Sequence, residues 1–162
     1  MSFLSRAIYR TGQVRHALWP RIDADELASV QEVLPDGMAA LFYAMEKRDQ
    51  RHALAVRRRL RERGVDDSDL LAAALLHDCG KGRARVWLRV LKVVSPGTLG
   101  RLAREGGGWR GAAYRLQEHA SIGARLASAA GASELTVRLI EGRVKPDEEG
   151  LQSLLLAADD ES

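Results

Sequence analysis

An imidazole and a carboxylate come directly after a strongly apolar, predicted helix. The segment 70–81 reads LLAAALLHDCGK, so seven apolar residues run straight into His77 and Asp78. Packing gives a long apolar helix no reason to end in this pair, and both side chains bind divalent cations when they are deprotonated. The pattern predicts that the end of this helix is a platform for a metal ion.

Three further polar residues lie in apolar, helical surroundings elsewhere in the chain. They are His52, His119 and Asp159. Helical bundles build metal sites from ligands that converge on the core from several helices. We therefore expect these residues to meet His77 and Asp78 in the folded chain.

The sequence leaves more than one interpretation open for some of the residues near this pair. Asp160 follows Asp159 directly, and helix boundaries read from sequence are uncertain by a few positions, so either carboxylate can be the inward one. Lys81 either stabilises the end of its helix as a cation or contacts a phosphate. Cys79 fits a small packing residue better than a metal ligand, because hard, oxygen-rich sites seldom use a thiolate.

The order of these residues resembles the HD-domain superfamily of metal-dependent phosphohydrolases, over about residues 42–160. The HDCGK segment is similar to the HDxGK form of that superfamily, and LLLAADD is similar to its closing segment. HASIGA, which begins at His119, is a third likeness. The resemblance implies a single all-α domain that binds a divalent cation and hydrolyses phosphate esters.

Carried over residue by residue, the resemblance implies one divalent cation bound by His52, His77, Asp78 and Asp159. His119 would lie on the second-metal or phosphate side of the pocket. Imidazole and carboxylate mixtures accept several ions, so Mn, Mg, Co, Ni, Fe and Zn are not distinguished.

The chain departs from the two-metal members of the superfamily at residues 139–143. Those members carry another His after a segment like VRLI, whereas this chain reads LIEGR there. Arg143 stays protonated and cannot bind a metal, but its fork of donors suits a phosphate. The plain alternative is a solvated arginine at a helix end. The missing His predicts a single metal.

Composition predicts the elements that must position these residues. The 162 residues are 46% hydrophobic but only 5% aromatic, and Ala, Leu and Arg dominate, which favours helices. We expect an all-α, HD-domain-like bundle of about seven to nine helices. The predicted helices cover about residues 23–34, 38–45, 49–64, 69–78, 86–94, 98–104, 112–129, 134–143 and 149–159. Ser68 and Ser133 are the expected N-caps of the helices at 69–78 and 134–143. The arginines between 57 and 63 are expected to form a solvated face.

Charge divides the chain into a basic segment, 1–22, and the helical domain, 23–162. The first 21 residues contain four arginines and no acid. Their irregular apolar spacing favours packing on or beside the domain over weak binding to a membrane surface or nucleic acid. The single cysteine excludes an internal disulfide and fits a reducing, cytoplasmic compartment. We find no apolar run long enough to cross a bilayer.

The expected reaction is hydrolysis of a small phosphorylated substrate by metal-activated water. By resemblance alone, a nucleotide is the leading substrate class. Asp78 would bind the cation and orient the water, while Lys81, His119 and Arg143 would hold the phosphate. The alternative is a regulatory module that binds metal and nucleotide without turnover. A homodimer is expected only as the commonest assembly of soluble proteins.

Overall fold

A computed structural model describes the chain at Ile22, at residues 24–82, at Ala103 and at residues 105–162. Every regular element in these ranges is helical, which confirms the all-α prediction. The basic segment and the helices predicted at 86–94 and 98–104 lie almost entirely outside the described residues.

Eight α-helices and two short 3-10 helices make up the described part. In chain order they are α1 Ala24–Gln31, α2 Asp36–Ala44, α3 Lys47–Glu62, α4 Ser68–Leu76, the 3-10 turn Cys79–Lys81, α5 Gly108–Gln117, α6 His119–Ala129, α7 Glu134–Glu141, the 3-10 turn Pro146–Glu148 and α8 Glu149–Asp160.

Helix α4 is the centre of the bundle. All of its residues from Leu70 to Leu76 are buried, and it packs against α2, α3, α7 and α8. A helix that is apolar on every side must be enclosed by others to remove that surface from water. The residues that follow α4 are consequently delivered to the middle of the domain.

Local signals set the start of α4 and both ends of α7. The Asp67 side chain accepts a hydrogen bond from the Leu70 amide at 2.8 Å, so Asp67, and not the expected Ser68, is the N-cap. Ser133 caps α7 as expected, accepting from the Thr136 amide at 3.0 Å. Gly142 ends α7 with φ of +72°, a left-handed conformation that favours glycine.

The single long helix predicted over residues 112–129 is wrong. Two helices, α5 and α6, cover this region, and they are separated at Glu118. Neither Glu118 nor His119 is a helix breaker, so local propensity gives no sign of the division. The first turn of α6 packs against the 79–81 turn, and this tertiary contact decides where the chain bends. His119 therefore begins a helix instead of lying within one.

Within the described ranges, no helix combines the length and the apolar character that crossing a bilayer requires.

Candidate metal centre

The imidazole of His77 is held in one orientation by the end of α4. The carbonyl oxygen of Ala74 lies 2.9 Å from Nδ1 of His77, and because a carbonyl can only accept, Nδ1 must be the donor. In the neutral ring this leaves the lone pair on Nε2. Metal-binding histidines are oriented by the same kind of hydrogen bond from the other ring nitrogen.

Nε2 of His77 is buried and has no hydrogen-bond partner among the described residues. Two carboxylate oxygens lie close to it nevertheless, Oδ1 of Asp159 at 3.3 Å and Oδ1 of Asp78 at 3.5 Å. A lone pair that faces two carboxylates is unfavourable unless a proton or a cation lies between them. The orphaned nitrogen thus marks a place that suits a positive charge.

His52 reaches the same place from α3. Its Nε2 donates a hydrogen bond to Oδ1 of Asp159 at 2.6 Å, which joins α3 to the end of α8. The rings of His52 and His77 lie edge to face, with centroids 5.3 Å apart. A metal ion that bound both rings would replace the proton that His52 now shares with Asp159.

Asp78 is a buried carboxylate, with 1% of its side chain exposed. Its Oδ2 accepts a hydrogen bond from Nζ of Lys81 at 2.5 Å, and its Oδ1 faces His77. Burial alone would raise the pKa of Asp78. The charges of His77 and Lys81 outweigh that effect, so the pKa is lowered and the group is a carboxylate at neutral pH.

The same electrostatics act on the other members of the cluster. The hydrogen bond from His52, followed by the nearby His77 ring, holds the pKa of Asp159 well below its ordinary value. Burial opposes a charge on His77, yet Asp159 and Asp78 together raise its pKa. Two anions therefore surround two imidazoles, a combination that also attracts a divalent cation.

The donor set and its spacing fit a metal ion. His52, His77 and Asp78 each offer an atom within 4.8 Å of the others, and Asp159 adds a fourth donor beside both rings. Neighbouring ligands with bonds of about 2.1 Å lie about 3 Å apart in an octahedral site, close to the 3.3 and 3.5 Å separations. The 2.6 Å hydrogen bond between His52 and Asp159 would have to lengthen to admit the ion.

The structure brings together the four residues that the sequence singled out as ligands. They come from α3, from the turn after α4 and from α8. Asp160 is exposed, so Asp159 is the carboxylate that faces the cluster. Lys81 lies beside Asp78 as part of the same group.

The residues expected to hold a phosphate are more widely spread. His119 lines a pocket beside the cluster together with His77 and Asp159, and the carbonyl oxygen of Leu116 lies 3.1 Å from its Nδ1. The side chain of Arg143 is 75% exposed and lies 3.4 Å from Glu141, which fits the plain alternative of a solvated arginine. Its contact with a phosphate stays a prediction.

Sequence analysis missed two polar residues of this pocket, Gln152 and Glu141. The sequence does contain a signal for the first. Gln152 precedes Asp159 by seven residues, which is close to two helical turns, so both lie on one face of α8.

Comparisons with protein-family models, with curated proteins and with solved structures found no match to this chain.

Proposed function

We propose that this protein is a metal-dependent phosphohydrolase that cleaves a phosphate ester, with nucleotides as the first substrate class to test. One observation carries the proposal. The orphaned Nε2 of His77 faces the oxygens of Asp78 and Asp159 in a buried cluster that His52 completes. The likeness of HDCGK, HASIGA and LLLAADD to HD-domain segments supports it independently.

His52, His77, Asp78 and Asp159 are the residues that would hold the cation. A divalent cation bound by them would lower the pKa of a bound water and would neutralise charge on phosphoryl oxygens. Asp78 accepts a hydrogen bond through one oxygen and keeps the other beside His77, so its carboxylate is fixed in orientation and can align a water molecule.

Lys81 and His119 occupy separate positions in the site. Lys81 adds positive charge at the buried end of the cluster, where it balances Asp78. His119 lies across the adjoining pocket, at the start of α6. Because Nδ1 of its ring faces the carbonyl oxygen of Leu116, Nε2 can donate to a phosphoryl oxygen only when the ring is protonated. Hydrogen-bond donors that are already in position before the reaction stabilise the negative charge that builds up in the transition state.

The first test compares substitutions of two neighbouring carboxylates, one in the metal cluster and one outside it. Asp159→Asn should lower the affinity for Mn²⁺ at least about tenfold, since it removes a charged donor, whereas the exposed Asp160→Asn should leave it unchanged. Elemental analysis of protein purified without added metal and calorimetric titration with Mn²⁺, Co²⁺, Mg²⁺ and Ni²⁺ measure this.

The second test addresses turnover. Metal-loaded protein should release phosphate from a panel of nucleotides or from an aryl phosphate, and Asp78→Asn should abolish the release while the fold is kept. Metal and nucleotide binding without turnover would support the regulatory module instead. If the wild-type chain bound none of the four cations, the hydrolytic proposal would be wrong.

A further inference from the structure

The pocket beside the metal cluster has a volume of about 210 Å³. Leu139, Ile140 and Leu155 provide apolar surface, while His77, His119 and Asp159 connect the pocket to the cluster. A group bound here would therefore lie next to a phosphate held by the cluster.

Gln152 is the first unusual residue of this pocket. Its Oε1 is buried and has no hydrogen-bond partner among the described residues. A buried amide oxygen that has lost its water without gaining a donor costs free energy. Rotation about the terminal torsion of Gln152, which is a soft sp³–sp² torsion, can turn this unpaired acceptor towards a hydrogen-bond donor of a ligand in the pocket.

Glu141 is the second polar residue of the wall, at the end of α7. Its Oε1 accepts a hydrogen bond from Oγ of Ser121 at 3.2 Å and lies 3.4 Å from the guanidinium of Arg143. A carboxylate has about four acceptor positions, so Glu141 retains capacity for further donors. Its negative charge also repels a second phosphate group.

The residues that line the pocket indicate which kind of ligand it can bind. Both Gln152 and Glu141 offer acceptors, and none of the described residues that line the pocket is a lysine or an arginine. A ligand that suits this wall carries hydrogen-bond donors, is uncharged and has an apolar side that can lie on leucine and isoleucine. A sugar ring has all three properties.

Building on the proposed phosphohydrolase, we propose that this pocket binds the hydroxyl-bearing leaving group of the substrate, a sugar or similar small polyol, with Gln152 as a specificity-determining residue. Pockets that enclose a drug-sized ligand usually exceed about 300 Å³. The smaller volume here matches one ring and not a whole nucleotide. The ring can belong either to a nucleotide or to a free sugar phosphate.

Phosphate esters with and without sugar hydroxyl groups test the proposal. We compare kcat/KM for adenosine 5′-monophosphate, its 2′,3′-dideoxy analogue, ribose 5-phosphate and phenyl phosphate. The wild-type chain should prefer the two ribose compounds. Gln152→Met, which keeps the length of the side chain, should lower kcat/KM for them about tenfold and change that for phenyl phosphate less than about twofold. The ratio of the two ribose compounds shows whether a nucleobase adds to recognition.

A matched control and a stability measurement separate recognition from folding. Gln31→Met replaces an exposed glutamine on α1 and should alter none of the four kcat/KM values. The melting temperature of Gln152→Met should stay equal or rise, because the change removes an orphaned acceptor. A lower melting temperature with an equal loss on all four substrates would show a structural glutamine and overturn the proposal.

The pocket can be tested even if the chain hydrolyses none of these esters. Calorimetric titration of the Mn²⁺-loaded protein with adenosine or D-ribose needs no turnover. The sugar pocket is supported if Gln152→Met weakens binding about tenfold and 2′,3′-dideoxyadenosine does not bind. This result supports the pocket even if the hydrolytic function has failed. If the wild-type protein binds neither adenosine nor ribose and does not favour the ribose esters, the sugar pocket is wrong.

Discussion

Gly80 lies where the 79–81 turn passes closest to α6. A Cβ atom built on Gly80 would lie 2.0 Å from the carbonyl oxygen of His119 and 2.6 Å from the amide nitrogen of Gly123. Both are backbone atoms, which cannot rotate away as a side chain can. Only glycine lets the two backbones approach this closely, and the approach places the start of α6 against the turn that follows Asp78.

We predict that Gly80→Ala destabilises the protein by about 2 to 3 kcal/mol, since it overpacks a junction of two backbones. Urea denaturation measures the loss. Gly150→Ala is the matched control. Nothing lies within 4 Å of the Cβ it would introduce in α8, so it should be neutral or stabilise by up to about 1 kcal/mol. Equal stability of the two variants would show that α6 can move away without cost.

Cys79 shows how neighbouring residues in one motif differ in role. Its thiol is partly buried, and Sγ lies 3.7 Å from the carbonyl oxygen of Gly123. Burial, followed by the charge of Asp78, raises the pKa of the thiol to about 12. A thiol that stays protonated is a poor metal ligand, which agrees with the interpretation of Cys79 as a packing residue.

At the scale of elements, the last turn of α8 is tied to α3 by more than His52. Glu161, two residues after Asp159, pairs with Arg63 at 2.7 Å and with Arg59 at 3.4 Å. These arginines belong to the face that the sequence predicted to be solvated. In the structure they form ion pairs that join α3 to α8. The spacing of residues within α3 does not indicate this role.

We predict that Glu161→Gln lowers Mn²⁺ affinity about two- to fivefold while it changes the free energy of unfolding by less than about 1 kcal/mol. The reason is that exposed ion pairs add little stability but can restrict the position of Asp159. Asp66→Asn is the control, because the 83% exposed Asp66 pairs with Arg61 of α3 and not with an arginine that holds Glu161. Titration calorimetry at low and high salt compares the two variants. An equal Mn²⁺ affinity in both would exclude a positioning role for Glu161.

The elements could be predicted from sequence where a local signal exists. Apolar runs and caps such as Ser133 indicated most helices of the described part within a few residues, because these signals act between close neighbours. The division between α5 and α6 could not be predicted. It depends on contact between α6 and Gly80, which is about forty positions away along the chain.

At the scale of the whole molecule, the metal cluster joins residues that are far apart in sequence. His52 and Asp159 are separated by 107 positions and meet at 2.6 Å. Periodicity could place each of them on the inner face of its helix, but it contains no information on which helices are neighbours. That they meet is predicted by the way helical bundles build metal sites and by the order of the motifs, and Gln152 belongs to none of these motifs.

Helix α8, which carries Asp159 in its last turn, is also held at its start by a charge pair outside the cluster. Glu148, in the turn before α8, receives hydrogen bonds from Nε of Arg138 at 2.9 Å, from a second guanidinium nitrogen of Arg138, and from the amide of Lys145 at 3.0 Å. The bonds from Arg138, followed by the one from Lys145, lower the pKa of Glu148 to about 2. Because α7 carries Arg138, the pair joins α7 to the start of α8.

The pair of Arg138 and Glu148 predicts how the free energy of unfolding depends on pH. A carboxyl whose pKa falls on folding stabilises the folded state fully above its unfolded pKa of 4.5, and that contribution is lost as the pH falls towards about 2. Glu148→Gln should therefore lower the urea midpoint at pH 7 and flatten its decline between pH 4.5 and 2. Glu134→Gln removes a 93% exposed acid that contacts the same arginine and should change neither quantity. If Glu148→Gln retained the wild-type acid dependence, the carboxylates of the metal cluster would have to account for all of it.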